Sequence, residues 1–121
     1  IYAALRPPGP MVYVVVGNPT TAAQTERLPA MLDTAADRSV LPGDVVRSLA
    51  LEKIESLFFK GFGGVPTELS IFDATFQLPE HPPMSFRPLI GEDEPYILLG
   101  RDVLNHFKIL LDGPGLALEI E

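Results

Sequence analysis

The sequence contains no cysteine. This excludes disulfides, thiolate metal ligands and a cysteine nucleophile, and it leaves the compartment open. No apolar run approaches the roughly 20 residues of a membrane span. No secretory leader is visible, and the chain starts at Ile1, as a fragment or a processed product would. A soluble, cytoplasmic domain with no membrane segment is the expectation. Basic residues are few: nine Lys and Arg stand against sixteen Asp and Glu, for a net charge of −7. They are scattered, whereas phosphate recognition needs them clustered, so no nucleic-acid partner is expected. The two histidines, His81 and His106, lie far apart without metal-ligand spacing, and neither a metal nor another cofactor is expected. No Ser-His-Asp arrangement can be assembled from spacing, and such triads are recognised by geometry.

What is present points to one globular domain over residues 1–121, rich in short extended elements. Hydrophobic residues make up 46% of the chain, too many for a disordered segment. Thirteen prolines and ten glycines suit many short strands joined by tight turns. Residues 1–10 hold three prolines and read as an extended N-terminal arm. Met11 to Val16 is a β-branched run closed by Gly17-Asn18-Pro19, a strand and its turn. Gln24 to Leu28 is a weaker candidate strand, and Ala30 to Leu32 a buried-looking one. Leu41, Val45, Val46 and Leu49 recur at helical spacing, with Pro42 suited to a first helical turn.

Leu51 to Phe59 and Val65 to Leu78 read as strands flanking the glycine-dense turn Lys60-Gly61-Phe62-Gly63-Gly64. The apolar phase of the second strand switches at Phe72, which predicts a bulge or a bend between two packing environments. Pro79 to Glu94 reads as loop with one short strand over Met84 to Ile90, its Glu92-Asp93-Glu94 cluster being a solvated turn. Tyr96 to Leu99 is an apolar strand ending in Gly100-Arg101-Asp102. Asp102 could cap a helix over Val103 to Phe107. Ile109 to Asp112 and Leu116 to Ile120 form a closing hairpin.

The stretch Ala30 to Pro42 carries the chemistry. One apolar run delivers Asp33 onto a turn of small residues, and a second, Val40-Leu41, leaves it. An Asp after a strand is commonly a turn residue. Here Thr34 adds a hydroxyl able to anchor the loop, Ala35 and Ala36 leave room for another backbone, and Asp37 adds a second carboxylate.

Taken with two later blocks, this stretch resembles the retropepsin-like aspartic proteases, the single-lobe relatives of retroviral proteases. Leu32-Asp33-Thr34-Ala35-Ala36-Asp37 resembles their Asp-Thr/Ser-Gly-Ala signature. Gly61-Phe62-Gly63-Gly64 falls where they carry a glycine-rich flap, and Ile97-Leu98-Leu99-Gly100-Arg101-Asp102 resembles their second block. The resemblance implies an all-β acid-protease half-fold: a small closed β-barrel with a flap hairpin, one short C-terminal helix and a homodimeric state. It implies that Asp33 is catalytic, that Thr34, Ala35, Ala36 and Asp37 form the active-site loop, that Gly61 to Gly64 close over a polypeptide substrate, and that Arg101 supports the loop by pairing with Asp37. Peptide hydrolysis of this kind uses two carboxylates sharing one proton and one water. No second Asp-Thr loop exists: Asp112 precedes Gly113-Pro114 and Asp102 follows Arg101, so a homodimer would bring two copies of Asp33 together.

Ala35 stands where that family usually has glycine. A methyl there could crowd the peptide or strain the turn. The alternative is therefore a retropepsin-fold module that dimerises or binds peptides without cutting them.

Overall fold

The computed structural model describes residue 2, residues 5–60 and residues 64–121. The valine-rich run forms β1 (Met11–Gly17), in which Val12, Val14 and Val16 point into the core while Tyr13 faces out. This is the period-2 pattern of a strand with one face packed. Asn18 locks the turn behind it. Its side-chain amide donates to the carbonyls of Leu49 and Ala50 at 2.9 and 3.3 Å, and its oxygen accepts from Thr20 N at 2.9 Å. The bonds tie the end of β1 to the end of α1 (Gly43–Ser48), where Ala50 leaves the helix with φ 49. Pro42 sits at the N-cap of α1 as the last residue of β3 (Val40–Pro42), not inside the first turn.

β2 (Leu28–Leu32) is longer than the expected Ala30 to Leu32, and Gln24 contributes only an isolated bridge to Gly17. Pro29 is tolerated because it lies opposite Tyr13 of β1, before the parallel pairing with β9 (Ile97–Leu99) begins at Ala30. The long hairpin is β4 (Lys53–Lys60) with β5 (Pro66–Phe72), followed by β6 (Ala74–Gln77). The phase switch at Phe72 is a change of partner across Asp73: β5 pairs with β4 and β8 (Leu89–Gly91), whereas β6 pairs with β1 and β7 (Met84–Phe86). The expected single strand over 84–90 is thus two, broken at Arg87-Pro88, where the chain crosses from one set of partners to the other.

The strands run β4-β5-β8-β3-β9-β2-β1-β6-β7 in one nine-stranded sheet. The all-β reading holds, but the sheet is open where a closed barrel was expected. Among the described residues β4 and β7 form no pairing with each other, since each is the outer arm of its own hairpin. α2 (Arg101–Leu104) begins two residues earlier than expected and is one turn long. β10 (Ile109–Asp112) and β11 (Ala117–Ile120) form a separate hairpin. Val14, Val16, Leu41, Phe76 and Leu99 are at most 1% exposed and make the centre of the core. Each such side chain stabilises the fold by about 1.5–3 kcal/mol. That core fixes β2 and β9 side by side, and their ends carry the site.

Candidate active site

Asp33 follows directly on β2. Its backbone N–H donates to Leu99 O at 2.9 Å, continuing the parallel Leu32–Leu99 register one residue beyond the strand. The chain then turns tightly. Ala35 N donates to Asp33 Oδ1 at 3.1 Å, and Ala36 N to Asp33 O at 3.2 Å. The first of these bonds orients the carboxylate from its own loop. Asp33 is half-buried, and among the described residues its Oδ2 receives no hydrogen bond. Ala35 is exposed, and it is absent from the residues with positive φ. The methyl group therefore carries no left-handed backbone strain, and the turn is one that alanine adopts freely.

Residues 100–102 hold this loop from below. Arg101 N donates to Ala36 O at 2.9 Å, and Arg101 Nη1 donates to Thr34 O at 2.8 Å. Arg101 does contact the loop, but not through the expected Asp37. Among the described residues no ion pair joins Arg101 to Asp37; the guanidinium reaches a backbone carbonyl of the loop instead. Gly100 packs so closely that a Cβ would sit 2.7 Å from Arg38 C and 3.0 Å from Ala36 O. Here glycine is required by close approach, since its φ of −85 is open to any residue.

A buried polar knot closes the far end of the loop. Ser39, 0% exposed, donates from its hydroxyl to Asp102 Oδ1 at 2.8 Å and from its N–H to Asp102 Oδ2 at 3.1 Å. The same hydroxyl accepts from Gly100 N at 2.9 Å. Asp102 also accepts from Val103 N at 2.9 Å, but it lies inside the first turn of α2, whose N-cap is Gly100 without a side-chain cap, so the expected capping role is replaced by the bonds to Ser39. The expectation missed Ser39. Its partner lies 63 residues away, and a lone Ser after Asp-Arg carries no local signal.

The other carboxylates are disposed as follows. Asp112 Oδ1 accepts from Gly115 N at 2.9 Å, a turn contact. Asp37 is exposed at the edge of a cavity of about 420 Å³, lined also by Arg38, Leu57, Phe58, Leu69 and Leu89. This cavity lies between the Asp33 loop and the β4–β5 hairpin. Cavities of about 410 and 400 Å³ near Pro79 and Glu80 include no residue of the loop. The expected flap residues Gly61, Phe62 and Gly63 fall outside the described residues; Gly64 turns with φ 69 at the start of the return strand. Among the described residues no group of three or more His, Asp or Glu could hold a metal ion, and no helix is long and apolar enough to cross a membrane.

The site can present one oriented carboxylate, with an open oxygen, on a loop that also lines a cavity. Solved structures share the framework. The EIAV protease complexed with the inhibitor HBY-793 is 26% identical, with a TM-score of 0.50 over 81% of this chain and 86% of that one. A retropepsin-like aspartic protease from Rickettsia conorii is 15% identical, with a TM-score of 0.55 over 92% of this chain and 90% of that one. The retroviral protease-like domain of Ddi1 from Leishmania major is 15% identical, with a TM-score of 0.53 over 92% and 88% of the two chains. No curated protein matches the sequence. The model of the retroviral aspartyl protease family matches residues 7–112, from the end of the arm through β10. With its Asp33 loop inside that span, the chain belongs to the retroviral aspartyl protease family.

Proposed function

We propose that the protein is an aspartic endopeptidase whose site is completed by a second copy of the chain. In this reading residues 1–121 act as one retropepsin-like unit, and Asp33 of each copy meets its counterpart on a twofold axis. The observation that carries the proposal is the state of the Asp33-Thr34 pair. One oxygen of Asp33 is fixed by its loop and the other is open. The Thr34 hydroxyl has no hydrogen-bond partner among the described residues, and Thr34 is exposed. Both groups lack what a symmetric copy would supply.

Two carboxylates at contact distance cannot both ionise, so they share one proton. The ionised one takes a proton from a water held between them, and the water oxygen adds to the scissile carbonyl carbon. The protonated one donates to the carbonyl oxygen. Proton transfer to the amide nitrogen then lets the C–N bond break, giving a carboxyl and an amine. The substrate is an extended polypeptide lying along the cavity under the β4–β5 hairpin, bound through its backbone as an added strand would be. Leu110, Leu111 and Leu116 of the terminal hairpin, 58%, 50% and 44% exposed, provide apolar surface for a dimer to cover. The negative φ of Ala35 removes the strain argument for an inactive binding module.

The test is incubation of an unfolded protein with the native chain and with Asp33→Asn across pH. Cleavage by the native chain is expected to be greatest in mildly acidic solution, to decline toward neutrality as the shared proton is lost, and to drop about 10²–10⁴-fold in the variant. Equal cleavage by both forms, or none by the native chain at any pH, would end the proposal.

A further inference from the structure

The cavity beside the Asp33 loop is unevenly built. Leu57 and Leu69 stand directly opposite each other across β4 and β5 and share a face of the hairpin, and Leu89 of β8 adds to the apolar lining. The polar lining comes from Asp37 and Arg38. Arg38 is half-buried as a residue, and its Nη1 donates to Arg87 O at 3.3 Å in an exposed bond that holds the guanidinium at the cavity edge. No carboxylate of the described residues lies within ion-pair distance of it. A guanidinium has five N–H donors in a planar fork, and this one spends one on a neutral carbonyl. In a chain of net charge −7, a cation without a counter-ion at the edge of an apolar cavity is an unfilled position.

We infer that Arg38 is a specificity-determining residue, which selects polypeptide substrates carrying a glutamate side chain in this cavity. The inference rests on the proposed peptidase reading for the presence of a peptide there. Glutamate fits the two halves of the lining. Its methylenes lie against Leu57, Leu69 and Leu89, and its carboxylate accepts from the free edge of the guanidinium. Asp37 does the opposite work. It is exposed at the same cavity edge, and its negative charge disfavours an acidic side chain placed anywhere but at the guanidinium.

The experiment uses the intact chain and peptides with a central apolar pair, in which one flanking position at a time carries Glu, Gln or Lys. Cleavage is measured at pH about 6, well above the ordinary glutamate range, so that the peptide carboxylate is ionised. At one position kcat/KM for Glu should exceed that for Gln by about 5–10-fold, the scale of a partly solvated charge-assisted bond. Arg38→Gln should bring that ratio to about one. Arg38→Lys, which keeps the charge without the fork, should retain a reduced preference, and Arg38→Glu should shift it to the Lys peptide. A loss of folding would lower all peptides together and would not move the ratio. The same peptides, labelled, are also bound to Asp33→Asn. Glu-selective binding to that variant, with no cleavage by the native chain, would end the peptidase reading and uphold the selectivity of Arg38. Equal or absent binding, a preference for Lys, or a Glu preference that survives Arg38→Gln would overturn the inference.

Discussion

Two segments face each other across the cavity, and they are anchored very differently. The Asp33 loop is bound at its start by Leu99, in its middle by the backbone and side chain of Arg101, and at its end by the Ser39–Asp102 pair. The β4–β5 hairpin joins the rest of the sheet at its base, through Ile71 opposite Leu89 and through Phe72 N, which donates to Pro88 O at 3.0 Å. Ile71 is fully buried, but farther out Phe58 and Val65 are 70% and 69% exposed. Under the proposed function the contrast separates two tasks. A carboxylate that must meet a second one needs a position set to within tenths of an ångström, and backbone bonds to a buried strand supply that. A segment that must admit a long peptide and then cover it is drawn from the less stable part of the molecule.

The comparison can be broken from the loop side first. Gly100→Ala places a methyl group against the Arg38 and Ala36 backbone, which cannot swing aside as a side chain would. We expect a loss of about 1–3 kcal/mol, read as a lower thermal midpoint, together with a large fall in activity as the loop is pushed away from α2. Ser39→Ala comes next. It leaves Gly100 N without its acceptor and removes a donor from Asp102, for a loss of about 1–3 kcal/mol by denaturant titration. Faster hydrogen exchange at Asp33 and Arg101 should accompany it, with the hairpin amides unchanged. If exchange quickens in the hairpin to the same extent, the two segments are not independent.

The smallest effect lies on the hairpin. Glu68 accepts from the Ser56 hydroxyl at 2.7 Å and from Lys53 at 3.5 Å. These contacts hold its carboxyl below the ordinary 4.5, the Ser56 hydrogen bond first and the Lys53 charge second. A lowered folded value means that the ionised form favours the folded hairpin. The contribution is complete above pH 4.5 and is lost as pH falls through the lowered value. Protection factors of the β4–β5 amides, corrected for intrinsic exchange, should therefore fall slightly in that acid range. Glu68→Gln should flatten the dependence, and the Asp33 loop should not respond.

Most of the strand content was legible because apolar alternation and proline-glycine punctuation are local. The change of phase at Phe72 even located the point where the chain leaves one set of partners for another. The open sheet was not legible, since closure depends on whether β4 and β7 meet, and no local pattern reports that. The same limit applies within the site. Asp33 and its turn were visible as a contiguous stretch. Ser39 and Arg38 gain their meaning from Asp102 and from Leu57 and Leu69, which lie far along the chain. Arg101 was identified as a support, but a carbonyl partner cannot be distinguished from a carboxylate by spacing. The difference has a consequence: a single bond to Thr34 O asks less of the planar fork than a bidentate pair, so Arg101→Lys should be milder than the Asp37 pairing implied.

The central claim is that each active site takes Asp33 from two copies of the chain. Titrating Asp33→Asn into a fixed amount of native protein, after allowing subunits to exchange, tests it most directly. Mixed dimers would carry one carboxylate and would not cleave. Activity per native chain should then fall in proportion to the fraction of native subunits as the variant is added. Activity that stays constant per native chain, at any excess of variant, would contradict a shared site.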